Sequence, residues 1–194
     1  MPEGLAYGGA LLAVGVLLAR RLGLFRAAPV LGLGTLVVAF FRDPDREPPA
    51  DPALVVAPAD GRVTAVEGAR ISIFLSIFDV HVNRAPVAGR VAAVDYRPGR
   101  FGNALRARST AENEQNRITL ETPSGPVLVT QIAGLLARRI VFWPRIGDRV
   151  ERGQRIGMIK FGSRTDLVLP PGTEWLVRIG DHVRGGATPV ARLP

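Results

Sequence analysis

The chain has 194 residues, which is enough for one well-packed domain and a smaller appendage. It contains no cysteine, so disulfides, thiolate nucleophiles and cysteine-ligated metals are excluded. The net charge is +8, and Lys160 is the only lysine among 25 basic residues. Arginine binds phosphate and carboxylate with two hydrogen bonds, so we expect an anionic partner: nucleic acid, a lipid headgroup or a membrane surface.

Two apolar segments open the chain. Residues 5–19 and 27–41 carry no charge, and a basic stretch at 20–26 separates them. Each is shorter than the roughly 20 residues of an upright helical span, so the pattern predicts a membrane-embedded hairpin or a marginal pair of spans. The arginines of the turn would face the cytoplasm if both segments cross. A cleaved signal peptide and a buried hairpin of a soluble core are the alternatives.

The composition changes abruptly after the second segment. Phe40, Phe41 and Arg42 suit a membrane interface, and the prolines that follow predict a stiff linker. We therefore expect an apolar hairpin at 1–42, a proline-rich linker at 43–52 and a soluble domain at 53–194.

The soluble part repeats itself. Residues 57–66 are echoed by 85–94, and 147–153 by 180–186. Both pairs read as short strands bounded by glycine turns. Such pairing is typical of lipoyl- or biotinyl-like barrel-sandwich hybrids, so we predict a mostly β domain after the helical hairpin. Residues 71–78 and 125–132 are expected to form buried strands.

Taken singly, the polar candidates are weak. Asp60 precedes a glycine and suits a local turn cap, and a lone histidine such as His81 is more often structural. Glu112 and Glu114 lie in a polar loop that is either solvated or a substrate lid. His182 sits in the second repeat, where the first copy has Arg149, which favours a surface role.

Four motifs in order give a more specific signal: FRDP at 41–44, PADG at 58–61, FLSIFDVHVNR at 74–84 and FGSRTD at 161–166. Together they resemble the short-form, pyruvoyl-dependent phosphatidylserine decarboxylase proenzymes. The resemblance runs from the apolar hairpin to the end of the chain.

The resemblance implies self-cleavage at Gly162-Ser163, giving chains 1–162 and 163–194. Ser163 would attack the Gly162 carbonyl to form an ester, and β-elimination followed by hydrolysis would convert Ser163 into a pyruvoyl group. This covalent cofactor would carry the substrate amine as a Schiff base and act as the electron sink that pyridoxal phosphate supplies elsewhere. Phosphatidylserine would become phosphatidylethanolamine and CO₂, with no metal required.

The resemblance also suggests the residues that assist Ser163. His81 and Asp60 are the candidates for promoting self-cleavage, and His81 would later handle protons during decarboxylation. Arg84 stands where the longer bacterial branch has a second histidine, and it is the candidate for binding the substrate phosphate or carboxylate.

The expected partners follow from the same resemblance. They are the anionic phospholipid substrate and a membrane surface, with the two cleavage chains forming a heterodimer and two of these a homodimer; nucleic acid is not expected. The protein would lie at the cell membrane, peripherally or through its hairpin, with the catalytic domain on the cytoplasmic side.

Two other functions remain open. Met158-Ile159-Lys160 follows a glycine turn as a modified lysine would in a lipoyl- or biotinyl-type carrier. Alternatively, the β domain is a docking module of a non-enzymatic, membrane-anchored adaptor.

Overall fold

The computed structural model describes residues 2–99, 112–134, 139–159 and 163–194, with the side chains of residues 2 and 3 left out. The chain divides into two compact units, Met1–Pro44 and Asp45–Pro194. Each unit has its own architecture.

The first unit is a pair of helices, α1 (Pro2–Leu22) and α2 (Leu24–Phe40). The predicted helical hairpin is therefore confirmed. The predicted basic turn is shorter than expected, because Arg20 and Arg21 lie in the last turn of α1, where cations are favourable next to the helix C-terminus. The chain instead turns at Gly23, whose φ of 89° costs little without a side chain.

Small residues bring the two helices close together. A Cβ added to Gly8 would lie 2.6 Å from a side-chain atom of Val38, and one added to Gly15 would lie 2.5 Å from Leu31. A 19-residue stretch of α1 with mean hydropathy 1.5, Gly4–Leu22, is long and apolar enough to cross a membrane. At 17 residues, α2 is shorter.

The second unit is built from short strands, as predicted. The described strands are β1 (Leu54–Val56), β2 (Gly61–Glu67), β3 (Arg70–Leu75), β4 (Val82–Arg84), β5 (Gly89–Arg97), β6 (Gln115–Thr122), β7 (Gly125–Ala133), β8 (Ile140–Phe142), β9 (Arg149–Val150), β10 (Arg155–Ile159), β11 (Ser163–Val168), β12 (Glu174–Trp175), β13 (His182–Val183) and β14 (Pro189–Arg192). They form sheets with the orders β1-β14-β12, β4-β10-β8 and β13-β2-β3-β11-β7-β6-β5-β9.

One face of the long sheet is the core. Alternate residues of its central strands are fully buried, including Ile71, Ile73, Val129, Ile118 and Leu167. This is the period of two expected of strands with one face packed against other elements. The predicted strand at 125–132 is confirmed as β7.

The two sequence repeats form matching structures. In one half, Val63 N donates to Asp181 O at 2.9 Å and Gly186 N to Ala57 O at 2.8 Å. In the other half, Val91 N donates to Asp148 O at 2.9 Å and Gly153 N to Ala85 O at 2.8 Å. Each repeat of the first type thus pairs with one of the second type, as expected of a barrel-sandwich hybrid.

The predicted strand at 71–78 ends earlier, at Leu75. Asp79 is the cause: its carboxylate accepts hydrogen bonds from Ser76 N at 2.8 Å and Ser76 Oγ at 2.7 Å. These bonds form a tight turn at 76–79 and replace the ladder bonds that a longer strand would need.

The part of the proline-rich linker that lies in the second unit is bound to the β domain. The Arg152 guanidinium donates to the backbone oxygens of Pro49, Asp51 and Leu54. Asp45 pairs with Arg155 at 2.7 Å, and this ion pair lowers the pKa of Asp45. The segment is therefore fixed by arginines as well as stiffened by prolines.

Candidate active site

Ser163 is the first residue of β11 and lies between two neighbouring strands. It pairs with Leu75 of β3 on one side and Ala133 of β7 on the other. The residue is fully buried, and its Oγ has no hydrogen-bond partner among the described residues. Because a buried hydroxyl without a partner is costly, such groups are uncommon in native proteins and often mark functional sites.

His81 lies at the same end of the sheet. The turn at 76–79 connects Leu75, the pairing partner of Ser163, to the segment that carries His81, which is fully buried. His81 Nδ1 lies 2.9 Å from the backbone oxygen of Asp79. A carbonyl can only accept, so Nδ1 carries the proton and Nε2 is the basic nitrogen of the neutral ring.

A chain of buried amides links the two sheets beside Ser163. Asn116 Nδ2 donates to Gln131 Oε1 at 3.0 Å, Gln131 Nε2 to Asn83 Oδ1 at 2.8 Å, and Asn83 Nδ2 to Thr165 Oγ1 at 3.2 Å. Thr165 shares a face of β11 with Ser163, and Asn83 shares a face of its segment with His81. The amide chain thus holds the segment carrying His81 over the strand carrying Ser163.

Sequence reasoning missed these amides. A usable signal was present, since Asn116 is in phase with buried Ile118, and Gln131 with buried Val129. A polar residue in phase with a buried apolar face indicates an internal polar contact.

The structure does not bring Asp60 to the His81 ring. One carboxylate oxygen of Asp60 accepts from Arg46 Nη2 at 2.9 Å, and the other accepts from Gly185 N at 2.7 Å. Asp60 therefore connects the linker and the turn at 184–186 to the start of β2.

Arg84 also faces away from Ser163. Strand side chains alternate, so Arg84 leaves β4 on the face opposite to Asn83. Its Nη1 donates to Gly153 O at 3.0 Å, and a Cβ on Gly186 would lie 2.5 Å from its Cδ. Arg84 is thus held between the two glycine turns of the repeats.

The predicted polar loop divides at Asn113. Glu112 is exposed, whereas Glu114 is buried. Glu114 O accepts from Ala133 N at 2.9 Å, next to the partner of Ser163. The pKa of the Tyr96 phenol is raised by desolvation and by a hydrogen bond with Glu114. Glu114 is therefore a buried carboxylate on the Ser163 side of the sheet.

The opposite face of β11 carries a different polar feature. Arg164 binds the Asp166 carboxylate through Nε at 2.6 Å and Nη2 at 2.9 Å. Both line a groove of about 670 Å³ across the outer face of the long sheet. Because alternate residues face opposite ways, this groove is separated from the Ser163 side by the sheet itself.

Two residues named from the sequence, Gly162 and Lys160, lie outside the described residues. Within the described ranges, no group of three or more histidine or acidic residues is arranged to hold a metal ion.

Comparison with known proteins identifies the family. The family model described as phosphatidylserine decarboxylase matches residues 33–191. A phosphatidylserine decarboxylase proenzyme of Symbiobacterium thermophilum is 49% identical, with 99% of this chain and 94% of the relative covered. Proenzymes of the same name from Trichlorobacter lovleyi and Solibacter usitatus are 47% and 48% identical, covering 99% and 97% of this chain and 95% and 94% of the relatives.

The chain belongs to the phosphatidylserine decarboxylase family. The resemblance inferred from four short motifs is confirmed over nearly the full chain. Because this is a family of decarboxylases, the non-enzymatic adaptor is excluded. The carrier alternative at Lys160 also loses its support, since the match covers both the apolar N-terminal region and the β domain.

Proposed function

We propose that this phosphatidylserine decarboxylase family member cleaves its own chain at Gly162-Ser163 and then converts phosphatidylserine to phosphatidylethanolamine and CO₂. The observation that supports this most directly is the Ser163 hydroxyl, which is fully buried and has no hydrogen-bond partner among the described residues. A hydroxyl that only packed or capped a turn would have a partner.

Self-cleavage begins with the Ser163 hydroxyl. Its Oγ forms a bond to the Gly162 carbonyl carbon while the peptide C–N bond breaks, and the amide becomes an ester with a free Ser163 amine. Removal of the Ser163 Cα proton then expels the Gly162 carboxylate and leaves a dehydroalanine. Addition of one water and loss of ammonia convert this residue to a pyruvoyl group, so the atoms balance.

His81 is the proposed base for the first step. The Nδ1–H bond to the Asp79 carbonyl orients the ring and makes Nε2 the nitrogen that would accept the Ser163 proton. In this structure no described side chain is hydrogen-bonded to Ser163 Oγ. The step therefore requires the imidazole to close on the hydroxyl, as is common before a reaction begins.

The surroundings of Ser163 fit a pyruvoyl group. Ser163 is fully buried at the start of β11, and its Oγ makes no hydrogen bond to the described residues that conversion to a ketone would break. When formed, the group would supply a ketone that binds the substrate amine and accepts electrons as CO₂ leaves. His81 would supply or remove the proton at the reacting carbon.

Asp60 and Arg84 have supporting roles in this proposal. Asp60 fixes the turn at 184–186 through Gly185 N, and Arg84 packs against Gly186 of that turn. Because Arg84 faces away from Ser163, its proposed ligand is the substrate phosphate, which is several bonds from the reacting amine; Arg84 would then exchange its hydrogen bond to Gly153 O for one to the phosphate. Asp60 then acts on the site by positioning Arg84 rather than as a base beside His81.

We also propose a membrane location, because the substrate is an anionic lipid and α1 is long and apolar enough to cross a bilayer. The β domain would work on the cytoplasmic side as a heterodimer of chains 1–162 and 163–194, and two such heterodimers would associate.

Processing and turnover of three variants test these roles. His81→Ala is expected to remain one uncleaved chain on a denaturing gel. Asp60→Asn and Arg84→Ala are expected to cleave, with a higher KM for phosphatidylserine and a smaller change in kcat. Normal cleavage of His81→Ala would remove the base assignment, and an unchanged KM in Arg84→Ala would remove the phosphate assignment.

A further inference from the structure

The turn at 76–79 exposes two neighbouring apolar side chains. Phe78 is 71% exposed and Ile77 is 37% exposed, although both belong to residue types that are usually buried. Single exposed apolar residues are common, but two adjacent ones at the tip of a turn form a small apolar surface.

This tip is held rigidly. Besides the bonds from Ser76 to the Asp79 carboxylate, Asp79 N donates to Ser76 O at 3.0 Å and Phe78 N to Ser76 Oγ at 3.3 Å. The other carboxylate oxygen of Asp79 lies 3.0 Å from His182 Nε2. The outward position of the two apolar side chains is therefore built into the turn.

The tip also lies beside the candidate active site. It begins one residue after Leu75, the pairing partner of Ser163, and ends at Asp79, whose carbonyl accepts from His81 Nδ1. A surface bound by this tip would therefore meet the protein at the Ser163 end of the sheet.

The surroundings of the tip are basic. Arg62 pairs in register with His182, the residue that contacts Asp79, and Arg184 directly follows the end of β13. Both arginines are exposed, and neither has an ion-pair partner among the described residues. Apolar side chains flanked by unpaired cations complement an anionic lipid surface, where the rings enter the interface and the cations meet headgroups.

We propose that the turn at 76–79 inserts Ile77 and Phe78 into the anionic membrane surface from which the candidate active site takes its lipid. The membrane contact is supported by the exposure of Ile77 and Phe78 and by the charge of the nearby arginines, whereas its use for substrate capture rests on the proposed function. The turn would thus be a second membrane contact, made by the β domain itself.

Tryptophan quenching in the full-length protein tests the contact. Phe78→Trp would be reconstituted in phosphatidylglycerol vesicles containing phosphatidylcholine with brominated acyl chains, and the signal of Trp143 and Trp175 in the unmodified protein would be subtracted. The matched control is Ile146→Trp, because Ile146 is 64% exposed but lies in the turn before β9, at the far edge of the sheet. The proposal predicts stronger quenching at position 78. Equal or weaker quenching there than at position 146 would overturn it.

Kinetics test substrate capture. Phe78→Ser is expected to lower kcat/KM about tenfold for phosphatidylserine in vesicles, because a buried aromatic side chain contributes about that factor or more. The same variant should keep its kcat/KM for a water-soluble, short-chain phosphatidylserine, and Ile146→Ser should change neither value. An equal loss on both substrates would overturn the capture role.

Two further outcomes separate the alternatives. If the two side chains instead cover a second copy of this chain, Phe78→Ser will turn a dimer into a monomer in sedimentation, Phe78→Trp will be quenched no more than Ile146→Trp, and the proposal fails. If the unmodified protein releases no CO₂ from either substrate, the proposed function fails, while the quenching experiment still decides the membrane contact.

Discussion

The Ser163 hydroxyl and the amides near it lie in one buried layer but differ in whether their hydrogen bonds are satisfied. Asn83, Gln131 and Asn116 satisfy each other through short hydrogen bonds, whereas Ser163 Oγ has no partner among the described residues. Satisfied amides stabilise a unique contact between the sheets. A cost at the unsatisfied Ser163 hydroxyl is expected where a residue is kept for its reactivity.

Thr165 provides a test of the amide chain. In an uncleavable Ser163→Ala background, Thr165→Val should lower the free energy of unfolding by roughly 1–3 kcal/mol, because buried Asn83 Nδ2 loses the nearer of its two acceptors and keeps only Pro58 O at 3.5 Å. Thr119→Val is the matched control, since Thr119 is half-buried on the outer face of β6. Denaturant titration measures both, and equal effects would show that the hydrogen bond to Thr165 contributes nothing.

At this scale the sequence was informative about types of residue and less so about contacts. Ser163 and His81 could be named because their motifs are specific. The partners of Asp60 could not, because Arg46 and Gly185 are brought to it by the linker and by a turn late in the chain. Such long-range contacts leave no local pattern.

The linker and the paired turns are the elements that depend most on arginine. Asp51 accepts from Ala53 N at 3.0 Å and from Arg192 Nη1 at 2.8 Å, and these two hydrogen bonds lower the pKa of its carboxyl. The ionised form is therefore favoured in the folded protein. The contribution of Asp51 to stability is present above the ordinary aspartate pKa and is lost as the pH falls through the lowered value.

Asp51→Asn tests this linkage. The variant should unfold at a lower denaturant concentration than the unmodified protein at pH 7, and the difference should shrink as the pH approaches 3. Glu47→Gln, an exposed change in the same linker, is the control and should have no effect at either pH. A difference that stayed constant with pH would mean that the carboxylate charge is not the cause.

The elements themselves were largely predictable. The two copies of each sequence repeat make equivalent backbone hydrogen bonds, because the paired turns have glycine and aspartate at the same positions. Gly147 and Gly180, with φ of 99° and 100°, are an example. The end of β3 was not predicted, since the alternation of 71–78 continues past Leu75 and only the side chain of Asp79 stops the strand.

For the whole molecule, membrane association is proposed to come chiefly from the first unit. Removing residues 1–44 should move most of the protein from the membrane pellet to the supernatant, because the apolar surface of α1 and α2 is lost. Weak, salt-sensitive binding through the turn at 76–79 should remain. Sedimentation with vesicles at low and high salt measures both components, and full retention after the deletion would contradict the anchor assignment.

The overall fold class was predictable, because it depends on the composition of the chain and on the order of its segments rather than on individual contacts. Abundant glycine and proline with few amphipathic helices favoured short strands, and two uncharged segments favoured a separate helical unit. What the sequence could not supply was the face on which each residue lies. That information placed Arg84 away from Ser163 and Glu114 on its side of the sheet.

Intact mass of the purified full-length protein is the most direct test of the proposed self-cleavage. The proposal predicts two chains, 1–162 and 163–194, with the second carrying a pyruvoyl group instead of an N-terminal serine, and a single uncleaved chain for Ser163→Ala. One unmodified chain of 194 residues in the active protein would contradict the proposal.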